Sequence, residues 1–206
     1  STYDFQRAVD DKATVPLYYD SRGDTLGVAT NDINERIAEK LEKIEIDDID
    51  VSQRLEKELK RDYHIITAEK RLNQIAKDFV DHYSTSWEAG KAMFVCIDKL
   101  TCVRMHKLIG QYWDQKTEEI KESWKMAGGE EKGQLSNQIA WMEETKMAVI
   151  VSEEQGEVEK FRKWGFDITL HRRPIKNGFE LSDGTRIDVD SAFKKGEHPF
   201  RIAIVC

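Results

Sequence analysis

No apolar stretch in this 206-residue chain approaches the roughly 18 residues needed to cross a bilayer, and its first residues lack a signal-peptide pattern. Cysteine is scarce: three residues, at 96, 102 and 206, are too few and too scattered for a disulfide framework and fit a reducing cytoplasm. The five histidines, at 64, 82, 106, 171 and 198, show no metal-ligand spacing. No Gly-x-x-x-x-Gly-Lys-Ser/Thr occurs; the single Gly-Lys pair, Gly90-Lys91, is followed by Ala92 and lacks the upstream glycine, so no phosphate cradle is encoded. No Asp-Glu pair follows a predicted strand, as a Mg²⁺-dependent nucleotide hydrolase would need. The Glu-x-Lys triplets Glu58-Leu59-Lys60 and Glu144-Thr145-Lys146 fall in predicted helices, where they read as solvated faces and not as a nuclease carboxylate set. Positive charge is outweighed, with 32 Lys and Arg against 39 Asp and Glu. With a net charge of −7, a nucleic-acid grip over the whole surface is excluded, and any such contact must come from a local patch.

What the chain does have is 39% hydrophobic and 34% charged residues, enough for a sizeable core in a strongly charged shell. Residues 1–30 read as irregular, with a short helical turn at 5–9 and an extended piece around Pro16. Residues 31–62 carry 11 acidic and 7 basic side chains on two thin amphipathic helices that cannot bury much area alone. The spacing of Leu72, Ile75, Ala76, Phe79, Val80 and Tyr83 predicts a helix over 67–84, with Thr67 as its cap.

Three apolar runs then read as buried strands: Ala92–Ile97, Met147–Val151 and Phe200–Cys206. Between the first two lie helices broken at Gly128-Gly129, the first capped by Thr101 and carrying Met105, Leu108, Ile109, Tyr112 and Trp113 on one face. After the second run, Ser152-Glu153-Glu154-Gln155 matches a capping box for a helix that ends at Gly165, and Phe166–Leu170 reads as a short strand. Asn177-Gly178 and Asp183-Gly184 frame a hairpin, and one helical turn at 191–195 precedes the last strand. Strand alternating with capped helix predicts an α/β fold: a parallel sheet with flanking helices over 88–206, preceded by a mostly helical arm at 1–87. A stop on a buried strand suggests a boundary inside a larger sheet.

Two places stand above background. The turn Asp98-Lys99-Leu100-Thr101 leaves the C-terminal end of a strand, where α/β folds put binding groups, and its lysine, hydroxyl and helix N-terminal amides suit a phosphate. Between 160 and 176, Lys160, Arg162, Lys163, Arg172, Arg173 and Lys176 face a single acid, Asp167, which makes a basic patch in an acidic protein. Cys96 reads as a buried small hydrophobe, whereas Cys102 sits at a helix N-terminus, where the dipole would lower its pKa.

Three stretches resemble the restriction (R) subunit of type I restriction–modification enzymes: Ala13–Arg22; Arg71–Val80 with Gly90–Lys99; and Glu143 through Asp167–Arg172 to Phe200–Cys206. The resemblance implies an ATP-dependent DNA translocase of superfamily 2, with residues 1–87 as the linker leaving its first motor lobe and 88–206 as part of a second RecA-like helicase lobe. It further implies a cytoplasmic parent that uses ATP and Mg²⁺, acts on double-stranded DNA and assembles with modification and specificity subunits. The nuclease carboxylates and Walker motifs would lie outside this stretch, so no cofactor is expected here and the piece alone should be inactive. On this analogy Asp98, Lys99 and Thr101 touch the DNA backbone, with Arg172 as a second candidate; the insertion at 178–184 leaves the role of the neighbouring His171-Arg172-Arg173 open. Two other classes of function remain: a subunit-docking module acting through the acidic arm at 31–62, and a small enzyme using Cys102.

Overall fold

The apolar runs separated by amphipathic stretches become strands and helices in alternation. The computed structural model describes residues 7, 10–14, 18–19, 63, 65–85, 90–181 and 183–206. By internal contacts the chain divides into Ser1–Lys60 and Arg61–Cys206. In the first unit the described backbone includes a helical hydrogen bond from the Asp11 N–H to the Arg7 carbonyl, at 2.9 Å. The amphipathic helices expected at 31–62 lie outside the described residues.

The second unit runs α1 (Glu69–Thr85), β1 (Ala92–Val95), α2 (Lys99–Met126), α3 (Gly129–Glu144), β2 (Lys146–Ile150), α4 (Glu157–Lys163), α5 (Thr169–Asn177), β3 (Phe179–Glu180), β4 (Arg186–Ile187), α6 (Val189–Lys194) and β5 (Phe200–Val205). Its main sheet has the order β1-β5-β2, with both pairings parallel: Ala92 lies opposite Ile202 and Val95 opposite Val205, while Ile150 also faces Val205. The expected parallel α/β sheet with flanking helices is therefore present, an arrangement consistent with part of a RecA-like lobe.

The apolar run at 200–206 forms the middle strand. Phe200, Ile202 and Ile204 are fully buried, each contributing roughly 1.5–3 kcal/mol by removal from water. Ile202, Ile204 and Val149 face α1–α3 through Leu72, Ala76, Val80, Met105, Ile109, Trp113 and Met142. Hence α1, on the arm side of the division expected at 87/88, contributes to the α/β core. On the opposite side Ala148, Phe200 and Ala203 pack on Ala192 of α6 and on the β3–β4 hairpin. A third cluster, Val103, Phe161 and Ile168, seats α4 and the entry to α5 against the start of α2.

Three expectations are corrected. The first concerns the run at 92–97, which is not buried on both sides. Among the described residues it pairs with β5 alone, and Met93, Val95 and Ile97 on its outer face are more than half exposed. Residues 166–170 are likewise no strand. Asp167 accepts hydrogen bonds from the Thr169 N–H (2.9 Å) and hydroxyl (2.6 Å), and that local closure starts α5 instead. Thr67 does not cap α1, because its hydroxyl donates to the Tyr63 carbonyl at 2.8 Å. The expected hairpin is present as the β3–β4 pair. Gly178 precedes it at φ +63°, where a Cβ would overlap the Ile187 carbonyl.

Candidate nucleic-acid interface

The C-terminal ends of β1 and β2 open toward the same corner of the fold, where the turn into α2 meets the loop into α4. Asp98, extended at φ −157° and ψ 171°, is the N-cap of α2, and its carboxylate accepts the Thr101 N–H at 2.7 Å. The sequence assigned that cap to Thr101, whose side chain is buried beneath the turn. The other oxygen of Asp98 accepts the Tyr63 hydroxyl at 2.5 Å. Burial, and then the Asp98 carboxylate, raise the Tyr63 phenol above its ordinary pKa. Asp98 is thus committed to shaping the turn, and Lys99 is the residue of the turn that carries a cation outward.

Lys99 reaches across to the loop after β2, with Nζ at 3.4 Å from Glu154 and 3.8 Å from Glu157. Glu157 is buried and holds Arg172, also buried, through bonds from Nε at 3.0 Å and Nη2 at 2.6 and 2.7 Å. Arg172 also donates to the Ser152 carbonyl at 2.9 Å and to the Val151 carbonyl. Lys99 and Arg172, both singled out in the sequence, are therefore joined through one carboxylate, but only Lys99 is placed to reach solvent. The capping box expected at 152–155 is displaced. Gly156, left-handed at φ +76°, sets the start of α4 at Glu157, whose carboxylate reaches back to the Glu154 N–H at 3.2 Å.

The basic patch is partly paired. Lys160 meets Glu154 at 2.7 Å and Lys176 meets Glu153 at 2.6 Å, and these lysines hold both carboxyls below the usual carboxylate range. Arg162, Lys163 and Arg173 are exposed beside them.

The chain is 29% identical over 127 residues, 57% of its length, to a protein of Methanocaldococcus jannaschii that bears the provisional name type I restriction enzyme MjaVIIP endonuclease subunit. That likeness ties the chain to restriction enzymes. The match covers 12% of the relative, so the chain spans a small part of that protein's length. No family model matches the chain, and no solved structure matches it significantly.

Two features escaped sequence reasoning. Glu157 had no local signal, since its partners lie at 99 and 172. His106 and His171 form an edge-to-face pair with centroids 4.7 Å apart; burial lowers both, and His171, facing His106, falls to about 4. The thiol at the start of α2 is also corrected. Cys102 is fully buried, and its contact with Cys96, followed by burial, pushes its pKa far up instead of down. Among the described residues no three His, Cys, Asp or Glu side chains form a group that could hold a metal ion, and no helix is long and apolar enough to cross a membrane.

Proposed function

We propose that this chain is part of the DNA-translocating subunit of a type I restriction endonuclease, comprising the linker between motor lobes and part of the second, RecA-like lobe. In that role it tracks double-stranded DNA and couples lobe movement. ATP and Mg²⁺ bind elsewhere in the parent, which works in the cytoplasm with modification and specificity subunits. Translocation requires two lobes closing on the nucleotide, so the chain alone has neither ATPase nor nuclease activity. The observation that carries this reading is Lys99 at the mouth of the parallel sheet, flanked by the cations of α4 and α5, where α/β folds bind their ligands. The likeness to a restriction-enzyme subunit supports DNA as the ligand, and we take it to be duplex.

Asp98 and Thr101 then act by building the turn, and Arg172 acts behind Glu157. The test is fluorescence anisotropy of a short DNA duplex titrated with the whole chain at several salt concentrations. Binding should be weak and fall as salt rises, and Lys99→Ala should reduce the logarithmic salt slope by about 1. An affinity that stays level from low to high salt would contradict it.

A further inference from the structure

The loop between β2 and α4 carries its carboxylates in a particular relation to the surrounding lysines. Three ammonium groups from three elements converge on one short segment: Lys99 from α2, Lys160 from α4 and Lys176 from α5. Lys99 and Glu154 are 55 residues apart in sequence, so this convergence is a product of the fold and not of helical spacing. We propose that Glu153 and Glu154 stand in for DNA phosphates, occupying Lys176, Lys160 and Lys99 until a phosphodiester displaces them. This inference rests on the DNA-binding reading above.

The energetics favour exchange at these two carboxylates and forbid it at Glu157. The side chains of Glu153, Glu154, Lys160 and Lys176 are all more than half exposed, so each pair is a surface salt bridge that salt screens and a competing anion can replace. Neither glutamate is left buried and unpaired after the exchange. Glu157 is instead fixed by Arg172 in a buried pair and keeps the loop anchored while its neighbours let go. Room for an incoming group exists: a cavity of about 240 Å³ lies between the loop and α5, lined by Glu153, Glu157, Arg172, Arg173 and Lys176 among others.

A phosphodiester oxygen accepts from an ammonium as a carboxylate does. The replacement changes partners but not the number of charged hydrogen bonds. It leaves a signature in salt dependence. Each carboxylate released in the wild-type chain takes up a cation, which cancels part of the counterion release that drives DNA binding. The loop therefore lowers affinity for any polyanion and blunts the response to salt.

The experiment compares the whole chain with Glu153→Gln/Glu154→Gln and with Glu159→Gln, using the same labelled duplex from about 50 to 200 mM salt. Glutamine matches glutamate in shape, and thermal melting confirms that each variant folds. The double variant should bind about five- to tenfold more tightly at low salt, with a logarithmic salt slope steeper by one to about two. Glu159, exposed on α4 and absent from the lysine contacts, reports the effect of one unit of net charge, half the double variant's change; its variant should stay within about twofold of wild type. An equal gain from Glu159→Gln, or no gain from the double variant, overturns the proposal. If the double variant gains nothing while Lys99→Ala weakens binding, the DNA-binding reading stands and the stand-in loop fails. If neither wild type nor double variant binds duplex, both fall.

Discussion

Arg172 directs its guanidinium inward. It meets the Glu157 carboxylate and two backbone carbonyls at the end of β2, and little of it reaches solvent. Removing one member of such a pair strands the other charge in a dry site, so Arg172→Ala should cost about 3–5 kcal/mol in urea denaturation; a loss below 1 kcal/mol would contradict the clasp. Acid should act on the neighbouring pair of rings. His171 titrates near 4 in the fold because burial and His106 disfavour its charge, Arg172 adding to this and Asp167 opposing it. In the unfolded chain it would titrate near 6.5. The fold thus binds fewer protons than the unfolded chain, so this contribution is complete above pH 6.5 and is lost as pH falls toward 4. The melting temperature of His171→Asn should decline less than that of wild type across this window, and parallel curves would remove the claim. Of these residues the sequence showed position but not partnership: Arg172 read as a surface cation because its carboxylate lies 15 residues away, outside any helical or strand repeat.

The strands differ in what they contribute. Among the described residues β5 is paired on both sides, with Ile204 fully buried, whereas β1 is paired on one side and leaves Met93 out. Ile204→Ala should destabilise the chain by about 2–5 kcal/mol, and Met93→Ala by less than about 0.5 kcal/mol. Comparable losses at the two positions would mean the strand order is wrong. Apolar runs revealed where strands form, since length and composition suffice for that, but could not say which strand is central. The break between α2 and α3 was legible at Gly128-Gly129, and the hairpin at Asn177-Gly178 and Asp183-Gly184. Helix α5 was not, because Pro174 inside it argues against a helix and its starting signal is the single Asp167–Thr169 contact.

Taken whole, the chain is acidic, yet it gathers cations at one corner of a parallel sheet and holds some of them against its own glutamates. A long lever points away from that corner. α2 continues for 28 residues, and Lys125 near its far end lies about 39 Å along the axis from Lys99. The two ends of one helix therefore provide an internal contrast for locating bound DNA. The most direct measurement is lysine acetylation of the whole chain, with and without a saturating DNA duplex, read residue by residue by mass spectrometry. Duplex should protect Lys99, Lys160 and Lys176 and leave Lys121, Lys125 and Lys132 as reactive as before. Protection confined to the α2–α3 hairpin, or no protection at all with DNA bound, would contradict the account.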